Sequence, residues 1–149
     1  MKFLKYALIV LFSIGMMSCG GSGGGDDKED TVAPTVTIAS PTTSTIVTAG
    51  ANLSVNFTAT DNVALASYTV TVSYTGVKSV KTVEEFSFNS LSDTDAAGNA
   101  VPAISGVSKV ISFNIATPDN AMPGAYKFSV TVKDTAGKSV SKDIAFEIQ

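Results

Sequence analysis

The chain has 149 residues, 44% hydrophobic and 15% charged, which suits one packed domain plus a tail but not two domains. It contains no histidine, tryptophan or arginine, and ten lysines face thirteen acidic groups. A histidine-based triad and a histidine-ligated metal are thereby excluded, and an arginine-read nucleic-acid surface has no readers, so no nucleic-acid partner is expected.

The first segment reads as an address. Lys2 and Lys5 precede a nearly unbroken apolar run from Tyr6 to Gly15, and small residues follow up to Ser18-Cys19-Gly20. A basic start, an apolar stretch of about 7–15 residues and a small residue before the cut describe a secretory signal. The run is too short for a membrane-spanning helix, which needs about 20 apolar residues. Met16-Met17-Ser18-Cys19 resembles the bacterial lipobox, with Met16 standing where most lipoboxes carry leucine. That resemblance implies cleavage after residue 18, acylation of Cys19, and membrane lipid as a partner. Stable anchoring needs more than one acyl chain, which a multiply acylated cysteine provides. Cys19 is the one cysteine, so an acylated Cys19 leaves no thiol for a disulfide.

Gly20 to Gly25 then reads as a flexible tether, and Asp26, Asp27, Glu29 and Asp30 gather around Lys28. An acidic run just after a lipidated cysteine resembles the surface-export signal of Bacteroidota-type lipoproteins. It implies an outer-membrane protein facing outward, with the periplasmic face as the alternative.

From Thr31 onward the pattern is of period two, which predicts half-buried strands. Pro34-Thr35-Val36-Thr37-Ile38 opens the first, ended by Ser40-Pro41, and Thr45-Ile46-Val47 reads as its continuation after a kink. Leu53, Val55, Phe57 and Ala59 point one way in a second strand, and Tyr68, Val70, Val72 and Tyr74 in a third. Val77 to Phe88 reads as a strand with a bulge, because its apolar residues do not keep one parity. Ser90 to Gly106 is a long polar loop and the expected contact surface, since loops on rigid scaffolds often carry binding. Val107, Ile111, Phe113 and Ile115 make a further strand. Tyr126 to Val132 and Ile144 to Ile148 form the last two, joined by an Asp134-Thr135-Ala136-Gly137 hairpin. The expected class is all-β: an Ig-like antiparallel β-sandwich of about seven strands over residues 31–149, after a signal at 1–18 and a tether at 19–30. Tyr126, at the start of its strand, is placed like the tyrosine of a tyrosine corner, ring in the core and hydroxyl on nearby backbone.

Ala33-Pro34-Thr35-Val36-Thr37-Ile38-Ala39-Ser40-Pro41, Gly50 and Ala59-Thr60-Asp61-Asn62-Val63-Ala64-Leu65-Ala66-Ser67-Tyr68 together resemble the opening of Ig-like domains in bacterial surface lipoproteins. Pro123-Gly124-Ala125-Tyr126 and Val130-Thr131-Val132-Lys133-Asp134-Thr135-Ala136-Gly137 resemble their ending, while Ser79 to Gly106 has no counterpart. The resemblance implies an uncharacterised Ig-like family whose members serve as spacers, adhesion modules, fimbrial subunits or accessory parts of glycan-uptake systems.

Candidate chemistry is sparse. Asp30, Asp61, Asn62 and Asp134 lie at strand ends that a sandwich gathers at one pole, as in cadherin-like calcium sites, although Asp and Asn also favour turns for local backbone reasons. The turn reading is the stronger one, so no cofactor is assigned, and calcium is the one cofactor these residues leave open. Asp93 to Asn99 starts like a calcium loop, but Ala97 replaces a ligand and Ile104 the closing glutamate, so it reads as a loop only. Glu84 and Glu85 are adjacent in a strand and face opposite sides, and nothing marks a Ser-Lys dyad, so no catalytic residue is assigned and the chain is read as a non-enzyme. Tyr68, Tyr74 and Tyr126 share parity with core positions, which disfavours sugar stacking. Asp30-Thr31-Val32 and Asp134-Thr135-Ala136 resemble short O-glycosylation sites of Bacteroidota-type secreted proteins, on Thr31 and Thr135. The functional expectation is a non-catalytic, lipid-anchored envelope protein presenting a binding or adhesion module. The alternative is a structural or assembly subunit, fimbria-like or accessory to glycan uptake.

Overall fold

The computed structural model describes residues 29–77 and 85–149. The expected signal, Cys19, most of the expected tether and Glu84 lie outside those residues. The described chain is all β, with strands β1 (Thr35–Ser40), β2 (Ile46–Val47), β3 (Asn52–Tyr74), β4 (Phe88–Asn89), β5 (Gly106–Ala116), β6 (Gly124–Asp134) and β7 (Ser139–Ile148).

β3 organises the molecule. Its first half, up to Thr60, pairs antiparallel with β1 on one side and β5 on the other. Its second half, from Leu65 to Tyr74, pairs antiparallel with β6, and Thr71 and Val72 also pair with β4. β6 pairs with β7 in turn. The two halves of β3 therefore belong to two layers that face each other, giving the Ig-like sandwich. The ring of Phe57 meets that of Tyr68 edge-on at 5.2 Å, and Phe88 of β4 meets Phe113 of β5 at 6.2 Å. The alternating residues supply the core: Leu53, Val55, Phe57 and Ala59 from the first half of β3, Val70 and Val72 from the second, and Tyr126, Phe128, Val130 and Val132 from β6. Each is a strand-compatible side chain on one face of a pleat.

Four details differ from the sequence reading. The second and third expected strands are one continuous strand, because the chain stays extended through residues 61–64 while its pairing register shifts between Thr60 and Leu65. Ile46-Val47 does not continue the first strand. After the cis peptide at Ser40-Pro41 the chain crosses to the other layer and pairs parallel with β7, so the sandwich is not purely antiparallel. Val107 keeps core parity yet is 54% exposed, because the first half of β5 extends past the covered part of the core. Of the expected strand at 77–88, only Phe88 lies in a described strand, as the first residue of the two-residue β4, and residues 78–84 lie outside the description.

Tyr126 sits at the core centre and its hydroxyl donates to the carbonyl of Met122 at 2.8 Å. Burial pushes that phenol up from its ordinary range, opposed in part by a backbone hydrogen bond from Phe86. The Ser90–Gly106 segment is a loop held down on the sandwich. Ala96 N–H donates to the Asn114 carbonyl, the Tyr68 hydroxyl donates to the Pro102 carbonyl at 2.6 Å, and Ile104 is buried.

Candidate metal centre at the tether pole

The pole where the chain enters the fold collects three aspartates from distant parts of the sequence. Asp61 occupies the stretch of β3 where register is lost. Its Oδ1 accepts the N–H groups of Val63 and Ala64, at 2.9 and 2.8 Å, which shapes that stretch. Asp134 is the last residue of β6, and its Oδ1 accepts the Lys138 N–H across the hairpin at 2.8 Å. The hairpin is closed further by the Asp134 N–H on the Lys138 carbonyl, and Gly137 takes the positive φ its turn requires. The Thr135 N–H then donates to the Ala64 carbonyl and ties the hairpin to the Asp61 stretch. Asp30 lies just before β1. Its Oδ1 accepts the Val32 N–H at 3.0 Å and the Asn62 side-chain amide at 3.1 Å.

One carboxylate oxygen from each of Asp30, Asp61 and Asp134 lies within 4.8 Å of the others. In all three residues Oδ2 is buried and has no hydrogen-bond partner. Asp134 is only 1% exposed as a whole residue, and Asp30 and Asp61 are half-buried. A buried, unpaired carboxylate oxygen costs free energy, and three carboxylates gathered this closely cost more through mutual repulsion. Lys138 reaches the same pole, but its Nζ is given to the backbone carbonyl of Asp30.

The structure thus brings together three of the four sequence-derived metal candidates. Asn62 stands beside them, its side-chain nitrogen donating to Asp30 and orienting that carboxylate. Lys138 was not singled out from the sequence, where a lysine after a Gly-containing hairpin carries no signal of its own. Thr31 and Thr135 are both exposed, each next to one of the clustered aspartates.

The other candidates stay apart from this pole. Asp95 turns its Oδ1 onto the N–H groups of Ala97 and Asn99, and Asp93 Oδ2 accepts the Asn89 N–H, so both shape their own loop. Glu85 is exposed. Tyr68 is buried and Tyr74 half-buried, its hydroxyl donating to the Val77 carbonyl. An open groove of about 430 Å³ runs between the residue 43–46 segment and β7, where Glu147 supplies the carboxylate.

An all-β sandwich with an acidic pole defines a class rather than an activity. The chain belongs to the family described as a domain of unknown function, DUF4625, whose model matches residues 21–149. No curated protein matches the chain. Among solved structures, it is similar to a family 123 glycoside hydrolase from Clostridium perfringens that was analysed for glycolipid glycan hydrolysis. The TM-score is 0.46 at 15% identity, and the match covers 79% of this chain but only 27% of that one.

Proposed function

We propose that the protein is a non-catalytic, lipid-anchored envelope protein that presents its Ig-like sandwich as a binding or adhesion module. The observation that carries this reading is polarity. The lipobox-like Cys19 and the Gly-rich tether lead directly into the pole at Asp30, while the far loops lie at the other end of the strands. Asn52 pairs with Ala116 at that far end and Thr60 with Ser108 near the tether, a separation of roughly 26 Å along β3 at about 3.3 Å per residue. The far loops are knitted to each other: Thr117 N–H donates to the Ala51 carbonyl, and Gly50 N–H to the Pro118 carbonyl. A rigid surface held away from an anchor suits presentation.

The test is protease accessibility on intact cells beside a Cys19→Ala variant. The expected result is cleavage of the wild type on unbroken cells and loss of Cys19→Ala from the membrane fraction. Cleavage only after lysis would move the domain to the periplasmic face, and membrane retention of Cys19→Ala would overturn the anchor.

One observation favours the assembly-subunit alternative. β5 pairs with β3 alone among the described strands, and its outer edge carries the exposed Val107 and Val110. Open edges add strands from other chains. Assembly would appear as concentration-dependent oligomers that Val107→Lys and Val110→Lys abolish, and a monomer at all concentrations would end it.

A further inference from the structure

We propose that Asp30, Asp61 and Asp134 form a calcium-class cation site that fastens the base of the tether to the pole of the sandwich. Two independent observations carry this. The first is convergence: one oxygen from each carboxylate falls within 4.8 Å of the others. Oxygens at about 2.4 Å from a common ion are at most about 4.8 Å apart, so the cluster can close on one calcium ion with little movement. The second is the state of the remaining oxygens. Oδ2 of each residue is buried without a hydrogen-bond partner, and Asp134 is buried almost completely. Turn formation accounts for the Oδ1 atoms, which hold backbone N–H groups of residues 32, 63, 64 and 138. It does not account for Oδ2. Water would normally satisfy such an atom at a surface, but these are removed from the surface.

Charge points the same way. Among the described residues, the three carboxylates and the Lys138 ammonium that reaches this pole sum to a formal local charge of about −2, which one divalent cation neutralises. An all-oxygen donor set selects a hard cation, and flexible spacing from three separate segments suits calcium over the strict octahedron of magnesium. The consequence is mechanical. Asp30 precedes β1 and already takes hydrogen bonds from the Asn62 amide and the Lys138 ammonium, so the ion would add a further link that fixes where the tether leaves the domain. This inference rests on the geometry of the pole and not on lipid anchoring, so its failure leaves that reading intact.

The experiment is calorimetric titration of the chelator-stripped full-length protein, in detergent, with calcium chloride and separately with magnesium chloride. Thermal melts run alongside. The expected result is one calcium per chain with a dissociation constant at or below about 1 mM, the range of extracellular modules. Saturating calcium should raise the melting temperature by about 5 °C or more, reversibly with chelator. Asp134→Asn and Asp61→Asn keep an oxygen that can hold the turn but replace the second with an NH₂ group. Each should weaken calcium binding by about tenfold or more while melting in chelator no lower than the wild type, because repulsion is relieved. Asp30→Asn serves the same purpose where Asp134→Asn fails to fold. No heat and no melting shift up to about 10 mM calcium, well above that range, overturns the site. Unchanged calcium affinity in the variants also overturns it, and an equal response to magnesium overturns the calcium assignment.

Discussion

At the residue scale, the tyrosines give the clearest consequences. Tyr126 is fully buried with its hydroxyl on the Met122 carbonyl, so Tyr126→Phe deletes the donor and strands a buried acceptor. The expected loss is about 1–3 kcal/mol, read as a lower urea midpoint with unchanged slope. Tyr68 adds a pH effect. Burial pushes its phenol from 10.0 up to about 12. The folded state therefore holds this proton more tightly than the unfolded chain, so the contribution is complete below about pH 10 and is lost as pH rises toward 12. Stability measured by urea unfolding should fall with pH in that window, and Tyr68→Phe should flatten part of the fall. An identical slope in the variant would refute the assignment. The core role of both rings was readable from strand parity, and the Tyr126 hydroxyl on nearby backbone from its tyrosine-corner-like place at the start of its strand. The Tyr68 hydroxyl was not, because its acceptor, the Pro102 carbonyl, lies in a loop that no periodicity describes. The same limit applies to the aspartates. Each one's place at a strand end is local information, but their meeting depends on how three segments up to 104 positions apart come together.

At the element scale, β3 carries the fold. Phe57 lies in its first half, is fully buried and contacts Tyr68 from the second half. Phe57→Ala removes the ring that joins the layers and should cost about 3–5 kcal/mol, seen in thermal or urea melts. Conversely, Val110→Thr, on the exposed face of β5, should change stability by no more than about 0.5 kcal/mol. Alternation located most of the strands, because one face of each is buried and the other wet. It failed where burial and pairing part company. The crossing of residues 46–47 to the other layer follows from backbone pairing with Glu147 and Ile148, which side-chain parity does not encode. The exposed start of β5 kept an apolar residue at core parity because parity reports direction, not whether anything lies opposite.

At the scale of the whole molecule, the class was legible and the partner was not, for one physical reason. A sandwich is specified by many redundant apolar alternations, so a few ambiguous segments do not change it. A binding surface is specified by a handful of loop side chains whose neighbours are set only after folding. That redundancy also predicts how the protein unfolds. β3 contributes backbone hydrogen bonds to both layers, and Phe57 and Tyr68 connect them through the core. Neither layer can lose its pairing without exposing the other's buried face. The two should therefore unfold as one unit. With no tryptophan in the chain, intrinsic emission comes from its four tyrosines, of which Tyr6 falls in the N-terminal apolar segment and Tyr68, Tyr74 and Tyr126 lie in the β3–β6 layer. Far-ultraviolet circular dichroism reports the strands of both layers. The two signals should give the same midpoint and slope in urea, with a calorimetric enthalpy equal to the van't Hoff value. Separate transitions, with tyrosine emission changing while half of the dichroism remains, would show that β3 is a hinge between two units rather than the shared spine of one.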